Sequence, residues 1–171
     1  GLNTTAIDSA YVEVVATLEA DDIVEEVEEQ VDESYQVSPQ EVEVFQGKNI
    51  LIVDDDNRNI YALKAALEKR GMNILVAKDG LECLEIMETN NKIDLILMDI
   101  MMPNMDGYEA MSIIRTKMKL TDLPIIALTA KAMSTDRDKS LEAGASDYIS
   151  KPLNLDQLVS VLRVWLVSKG S

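Results

Sequence analysis

The sequence predicts an α/β domain with a parallel sheet and helices on both faces, and three observations support this fold class. Five short apolar runs alternate with segments of helical periodicity from residue 48 onward. Consecutive β/α units of this length are typical of a parallel sheet covered on both faces. Four of the five runs are followed by the polar or charged side chains of a candidate site. Right-handed crossovers between the strands are the expected connection.

The first β/α unit is predicted from its apolar spacing. The run Asn49-Ile-Leu-Ile-Val53 is almost continuously apolar, as expected of a strand that is buried on both faces. A helix is predicted over 57–70, ended by Gly71, because apolar residues recur there at helical spacing. The residues on this apolar face are Ile60, Leu63, Ala66 and Leu67.

The other four units repeat the same order. Their predicted strands are 72–77, 94–98, 124–128 and 147–150. Their predicted helices are 80–90, 108–118, 134–143 and 154–167, of which the third ends at Gly144. The loop 99–107 contains Pro103 and Gly107, which restrict and extend the backbone angles, so that it can shape itself around a metal. We expect its methionines to fill gaps or pack in the loop; these are Met101, Met102 and Met105.

Five polar side chains lie at or just past the carboxyl ends of four predicted strands. They are Asp54, Asp55, Asp99, Thr129 and Lys151. Because the carboxyl ends of parallel strands share one edge of the sheet, where ligands bind, these side chains should converge. Three clustered carboxylates repel one another unless a cation lies among them. Oxygen ligands without His or Cys favour Mg²⁺ or Mn²⁺.

Such a site can carry out phosphoryl transfer. A carboxylate can act as a nucleophile and form an aspartyl phosphate, and transfer requires in-line positioning and neutralised charge. Lys151 and the metal can supply positive charge, and Thr129 can donate a hydrogen bond to a phosphoryl oxygen. We expect the phosphoryl group on one aspartate, with Asp99 the foremost candidate. The third consecutive acid, Asp56, is expected to face solvent or to cap the next helix.

Four motifs in this order resemble the receiver domain of bacterial two-component response regulators. They read Ile-Leu-Ile-Val-Asp-Asp at 50–55, Leu-Met-Asp-Ile-Met-Met-Pro-Asn-Met-Asp-Gly at 97–107, Ala-Leu-Thr-Ala at 127–130 and Lys-Pro-Leu at 151–153. The resemblance covers roughly residues 47–168. It implies a flavodoxin-like receiver fold, in which the parallel strands have the order 2-1-3-4-5.

The resemblance also implies a role for each site residue. Asp99 would be the phosphoacceptor. Asp54 and Asp55 would hold Mg²⁺, Asp55 directly and Asp54 partly through water. The backbone carbonyl of Met101 would be a further metal ligand.

Two of the remaining residues would act on the phosphoryl group, and one would respond to it. Thr129 and Lys151 would contact the phosphoryl group. Tyr148 matches the aromatic position that such domains move when they are phosphorylated. Thr129 and Tyr148 would thus form the switch.

The charge of the chain is unevenly distributed. The net charge is −15, of which residues 1–46 carry −13 and the rest −2. We expect residues 1–46 to be an acidic, largely flexible linker, 47–168 to be the receiver domain, and 169–171 to be a tail or a remnant of excision from a longer chain. The absence of a basic stripe argues against a nucleic-acid partner. No run of eighteen apolar residues predicts a membrane span, so no direct membrane contact is expected.

Residue types that are absent or rare in the sequence exclude several classes of function. The chain contains no histidine, which excludes Ser-His-Asp hydrolysis and His-based zinc sites within it. A phosphohistidine must therefore come from another chain or from a part of the protein outside this sequence, and the expected partner is a histidine kinase or a histidine phosphotransfer domain. Cys83 is the only cysteine, in a helical stretch, and we expect a packed thiol.

The predicted function is a phosphoacceptor signalling switch in the cytoplasm. The domain would catalyse its own phosphorylation and slow dephosphorylation, which leaves its status as an enzyme open. The acidic lead-in and Met-Asp-Ile-Met-Met-Pro look like the receiver of a hybrid sensor histidine kinase, whose parent protein could be membrane-anchored. A stand-alone single-domain response regulator is the alternative in this class.

Three other classes agree less well with the sequence. An Asp-nucleophile phosphohydrolase usually carries Asp-x-Asp, whereas the third position here is Met101. A docking-only pseudo-receiver usually loses an acidic or Lys residue, and none is lost. A dinucleotide-binding domain would show Gly-x-Gly-x-x-Gly after the first strand, which is missing.

Overall fold

The computed structural model describes residues 43–89, 92–130 and 134–170. Within these residues five strands alternate with five helices. The strands are β1 (Asn49–Val53), β2 (Asn73–Ala77), β3 (Leu95–Asp99), β4 (Ile125–Thr129) and β5 (Asp147–Ser150). The helices are α1 (Asn57–Glu68), α2 (Gly80–Thr89), α3 (Gly107–Thr116), α4 (Ser134–Ala143) and α5 (Leu155–Gly170). Residues 1–42 of the predicted acidic linker lie outside the described residues.

The strands form one five-stranded sheet with the order β2-β1-β3-β4-β5, which confirms the predicted order. The pairs β1–β3, β3–β4 and β4–β5 are parallel. Asp99 is in register with Leu128, and Thr129 is in register with Ser150. The carboxyl ends of these strands therefore lie side by side, as the predicted site requires.

Two strands begin and end one residue later than the sequence predicts. Asp99 and Thr129 are the last residues of β3 and β4, not the first residues of the loops that follow. The pairing continues past both residues, because the Ile100 N–H donates to the Leu128 carbonyl at 3.2 Å and the Lys151 N–H donates to the Thr129 carbonyl at 2.7 Å. Both side chains are thus carried on paired backbone, which fixes their position better than a loop would.

Residues 49–55 and 74–151 form one compact unit, built around the sheet. All residues of β3 and β4 are buried, as expected of central strands in a parallel sheet. Helices α2 and α3 supply core residues from their apolar faces, among them Met87, Met111 and Ile114. The Cys83 thiol is part of the same core, which confirms the prediction of a packed side chain.

The other unit contains, among the described residues, 43–48, 56–73 and 152–170. Asp56 caps α1, because its side chain accepts a hydrogen bond from the Arg58 N–H at 2.9 Å, as one of the two predicted roles requires. The predicted apolar face of α1 is buried. The helix stops at Glu68, two residues before the predicted end, and Gly71 follows with a φ of 87°. Helix α5 runs to Gly170 and so includes positions 169 and 170 of the predicted tail.

None of the helices in the described part of the chain has both the length and the apolar character needed to cross a membrane.

Candidate functional site

Three carboxylates meet at the carboxyl edge of the sheet. Oxygen atoms of Asp54, Asp55 and Asp99 all lie within 4.8 Å of one another. Asp54 and Asp99 are buried, with 0% and 4% of their surface exposed, whereas Asp55 is exposed. The cluster therefore has two carboxylates below the surface and a third at its mouth, open to solvent.

The backbone fixes the first of these carboxylates. Asp54 follows the last residue of β1, and its N–H donates to the Ala77 carbonyl of β2 at 3.0 Å. Pairing between β1 and β2 thus extends to Asp54, so the site begins where the regular sheet ends. The sequence prediction that Asp54 and Asp99 converge from different strands is consistent with this arrangement.

Lys151 lies between the two buried carboxylates. Its Nζ is 3.4 Å from Asp99 Oδ2 and 4.0 Å from Asp54 Oδ2. The amine is partly exposed, since 27% of the side-chain surface reaches solvent. One positive charge therefore compensates two buried carboxylates, and this leaves the site electrostatically suited to a further cation.

The pKa of Asp99 is raised above its ordinary value. The largest cause is burial, which penalises the charged form. The charge of Lys151 and the hydrogen bond from the Met101 N–H to Asp99 Oδ1, at 3.2 Å, act in the opposite direction. Without a metal, Asp99 thus holds its proton to higher pH than an ordinary aspartate does.

Thr129 completes the set of strand-end residues. It is 2% exposed and ends β4 beside Asp99, which ends β3. Its carbonyl accepts the Lys151 N–H, so the backbone ties together two of the predicted site residues. Residues 131–133, which come after Ala130, lie outside the described residues.

Tyr148 lies on β5, three residues before Lys151. It is half-buried and packs against the core of the sheet unit, in register with Ala127 of β4. Ala127, its partner on β4, therefore lies two residues before Thr129. The switch role assigned to Tyr148 stays a prediction.

The methionines of the loop after β3 behave differently from one another. Met102 and Met105 pack against the core, as predicted. The prediction that Met101 packs in the loop is wrong, because 70% of its surface is exposed. Its backbone N–H is turned towards Asp99 Oδ1, and its side chain is left in solvent.

Gly107 allows the loop to close on the strand. Its N–H donates to the Ile100 carbonyl at 3.0 Å. A Cβ at this position would lie 2.5 Å from the Asp99 carbonyl oxygen and 2.9 Å from the Ile100 Cα. Only glycine fits so close to the backbone of Asp99. Helix α3 begins here, with Asp106 as its N-cap.

The structure adds two residues that the sequence did not single out, Asp79 and Asn104. Asn104 Nδ2 donates to Asp79 Oδ2 at 2.7 Å, across a separation of 25 residues. Asp79 precedes α2 and accepts the Glu82 N–H, a capping position that its sequence context could have indicated. The pairing with Asn104 leaves no signal in the sequence, because it depends on how two loops meet.

The donor set fits a small hard cation. Asp54, Asp55 and Asp99 offer carboxylate oxygens, and Met101 lies in the loop that follows Asp99. Mg²⁺ prefers oxygen ligands of this kind and usually keeps several waters, which the exposed side at Asp55 would allow.

Comparison with known proteins gives one consistent result. The family model for the response regulator receiver domain matches residues 50–163. The chain is 40% identical over 117 residues to the transcriptional regulatory protein CpxR of Escherichia coli (strain K12), a match that covers 68% of this chain and 48% of that protein. The chain therefore spans about half the length of this curated relative.

Two solved structures are also similar. One is the receiver domain of the sensor histidine kinase PA1611 from Pseudomonas aeruginosa PAO1, with a magnesium ion coordinated in the active site cleft. The identity is 37% and the TM-score 0.65, covering 73% of this chain and 99% of the other. The second is a co-crystal structure of the Saccharomyces cerevisiae histidine phosphotransfer signaling protein Ypd1 with the receiver domain of its downstream response regulator Ssk1. The identity is 32% and the TM-score 0.69, covering 73% and 92%.

Proposed function

Since the chain belongs to the response regulator receiver domain family, we propose that Asp99 accepts a phosphoryl group from a phosphohistidine of a partner protein. An oxygen of the Asp99 carboxylate attacks phosphorus, and a phosphorus–oxygen bond forms as the phosphorus–nitrogen bond breaks. The imidazole of the partner leaves with the electron pair of that bond and takes up a proton. The reaction is phosphoryl transfer in two-component signalling.

The observation that carries the proposal is the position of Lys151 beside Asp99. Its Nζ lies 3.4 Å from the carboxylate that would be phosphorylated. An ammonium at this distance can neutralise charge that develops on the equatorial phosphoryl oxygens. Thr129, at the end of the adjacent strand, can donate its hydroxyl hydrogen to another of these oxygens.

Asp54, Asp55, Asp99 and the Met101 carbonyl would hold Mg²⁺. The ion would neutralise charge on the transferred group and hold it against the acceptor. Asp54 and Asp55 would provide the ligands that Asp99 alone could not, since one oxygen of the Asp99 carboxylate must remain free to react. The magnesium ion in the receiver domain of PA1611 supports this assignment.

The partner proposed for this chain is a histidine kinase or a histidine phosphotransfer domain. The complex of Ypd1 with the Ssk1 receiver supports a phosphotransfer partner. The similarity to a sensor kinase receiver supports a hybrid histidine kinase as the parent protein, and a stand-alone regulator is the competing context. In either context we expect the domain to lie in the cytoplasm.

The output of the switch would come from Thr129 and Tyr148. A phosphoryl group adds about −1.5 to −2 of charge at Asp99 and attracts hydrogen-bond donors. Movement of Thr129 towards it would change the space available to Tyr148, which is half-buried on the neighbouring strand. The phosphoryl group would then shift the equilibrium between two pre-existing arrangements of the β4–β5 region.

Intact mass after incubation with acetyl phosphate tests the proposal. The wild type should gain one phosphoryl group only when Mg²⁺ is present, and Asp99→Asn should gain none. An adduct on Asp99→Asn would place the acceptor on another residue. If neither acetyl phosphate nor a phosphorylated histidine phosphotransfer domain modifies the wild type, the domain is a docking module and the proposal fails.

A further inference from the structure

Two loops that flank the proposed site are joined by a pair of contacts. Asn104, in the loop after β3, donates from Nδ2 to Asp79 Oδ2 at 2.7 Å. The Gly80 N–H, at the start of α2, donates to the Met105 carbonyl at 3.2 Å. The middle of the loop that contains Met101 is thus fastened to the amino end of a neighbouring helix. Nothing in the phosphoryl chemistry proposed above uses these residues.

Asn104 has an unusual backbone conformation. Its φ is 66°, and the Met105 N–H donates to the Pro103 carbonyl at 2.7 Å. A hydrogen bond that spans two residues around a positive φ defines a γ-turn, which is strained. Strain of this kind persists only where the surroundings hold it. The side-chain bond from Asn104 to Asp79 is the contact that can hold it.

Asp79 is itself held in place. Its Oδ1 accepts the Glu82 N–H at 2.9 Å in the first turn of α2, while its Oδ2 accepts Asn104. Both bonds favour the charged carboxylate, and the pKa of Asp79 is accordingly lowered. A helix cap is rigid because the helix orders it. The loop is therefore attached to a fixed point.

The close approach depends on Gly80. A Cβ at this position would lie 2.7 Å from the Met105 carbonyl oxygen, and within 3 Å of the Met105 side chain. Any larger residue would push the loop away from α2. Glycine at 80, aspartate at 79 and asparagine at 104 are therefore required together for this contact.

The loop has three attachment points between Asp99 and Gly107. The Met101 N–H is bonded to Asp99 Oδ1, Asn104 and Met105 are bonded to the start of α2, and the Gly107 N–H is bonded to the Ile100 carbonyl. Met101 lies between the first point and the second. Loss of the second attachment would allow residues 101–105 to move. The direction of the Met101 carbonyl would then no longer be fixed.

We propose that Asp79 and Asn104 are positioning residues, which hold the loop after β3 so that the Met101 carbonyl remains available to a divalent cation at the acidic cluster. This inference rests on the proposed function, because it assumes that the cluster binds Mg²⁺. Neither residue touches the ion or the phosphoryl group. Their effect is transmitted through the backbone from Asn104 to Met101.

Exchanging the two side chains of the Asp79–Asn104 pair tests the inference. Asn104→Asp sets two carboxylates against each other, yet aspartate tolerates a positive φ, so the main change is loss of the bond. Asp79→Asn keeps a good helix cap. The double variant Asp79→Asn with Asn104→Asp restores one donor and one acceptor with the roles exchanged, and its net charge equals that of the wild type.

Two readouts are needed, both without phosphorylation. Calorimetric titration with MgCl₂ gives the Kd, and amide hydrogen exchange of the metal-free protein reports the protection of Met101 and Gly107. For Asn104→Asp we expect Mg²⁺ affinity to fall about tenfold, as for other supporting contacts around metal sites, and the exchange of both amides to become faster. The added negative charge would by itself tighten Mg²⁺ binding, so a loss would come from displacement of the loop, through the lost bond and the repulsion from Asp79.

Restoration of both readouts to within about threefold of the wild type in the double variant would support the inference, since coupled residues are identified by such cycles. Glu82→Gln is the control for the charge that Asp79→Asn removes, because it removes one negative charge from the same turn and leaves the Asp79–Asn104 bond intact. Unchanged affinity and exchange in Asn104→Asp would overturn the inference, and so would a loss that the double variant does not reverse. Failure of the wild type to bind Mg²⁺ would instead overturn the proposed function.

Discussion

Lys151 Nζ lies 3.4 Å from Asp99 Oδ2, and the two residues come from the ends of strands that are not neighbours in the sheet. Strand β4 lies between β3 and β5, so the lysine reaches past the end of β4 to Asp99. The same amine is 4.0 Å from Asp54 Oδ2. It therefore balances part of the negative charge of the metal-free site, and a bound cation would compete with it for the same carboxylates.

Removal of this amine should destabilise the protein when no metal is bound, and added Mg²⁺ should offset the loss of stability. For Lys151→Ala we expect a loss of about 2 kcal/mol of unfolding free energy in EDTA, somewhat less than for a fully buried pair because the amine is partly exposed. Mg²⁺ binding should become tighter, since a competing cation is gone. Denaturant unfolding with and without MgCl₂ measures both effects. Lys139→Ala, which removes an exposed lysine from α4, is the control. Equal stability of the two variants in EDTA would contradict the prediction.

The raised pKa of Asp99 predicts a specific pH dependence. Because the folded-state pKa lies above the unfolded value, Asp99 contributes stability below the unfolded pKa of about 3.8, and this contribution is lost as pH rises through the folded pKa. The metal-free wild type should therefore lose stability relative to Asp99→Asn as pH is raised from about 4. The difference can change by at most about 1.4 kcal/mol per pH unit.

Urea unfolding of both proteins in EDTA, from pH 4 to pH 7, measures this difference. The other carboxylates are common to both proteins, so subtraction of one curve from the other isolates the contribution of Asp99. Parallel curves at every pH would show that burial does not perturb Asp99. In excess Mg²⁺ the slope should disappear, because the ion favours the ionised carboxylate.

Gly107→Ala should damage the site through direct contact with the Asp99 backbone. The added methyl group would lie 2.5 Å from the Asp99 carbonyl oxygen, which is rigid in the strand. We expect a loss of about 2–3 kcal/mol, in the range for overpacking, together with weaker Mg²⁺ binding.

Gly47→Ala provides the comparison, since Gly47 has a positive φ of 77° but open space where a Cβ would lie. That variant should lose about 1–2 kcal/mol from backbone strain alone and bind Mg²⁺ normally. Thermal denaturation and calorimetric titration distinguish the two. Normal Mg²⁺ affinity in Gly107→Ala would mean that the clash is relieved without moving Asp99.

The buried thiol of Cys83 should be inert until the protein unfolds. Burial raises its pKa to about 12, so almost no thiolate forms in the folded protein near neutral pH. Stability that depends on the neutral thiol is present below the unfolded pKa of about 9 and is lost as pH rises towards 12. Reaction with a maleimide reagent at pH 8 should follow the unfolding curve in urea. Rapid labelling without urea would show that the core around α2 opens.

The strand positions were predictable because each strand appears in the sequence as a short apolar run, followed by a segment whose apolar residues recur at helical spacing. Asp99 and Thr129 could be assigned to one edge of the sheet from the apolar runs before them, and the sheet order confirms their placement there. The exposure of Met101 could not be predicted, because it depends on how the Met101 N–H turns towards Asp99. The bond between Asn104 and Asp79 was also beyond the sequence, since a positive φ and a contact across 25 residues arise only in the folded chain.

The order of the strands along the chain has a consequence for synthesis on the ribosome. All three aspartates belong to β1, β3 or their ends, whereas Lys151 comes after β5, the last strand. A nascent chain that has emerged only through β4 would carry the acidic cluster without its amine. We expect such an intermediate to depend on protons or divalent cations, so that a chain truncated after residue 146 should gain more order from MgCl₂ than the whole domain, as measured by circular dichroism. Folding of the final strand would then remove this dependence, because it brings the Lys151 ammonium to the acidic cluster.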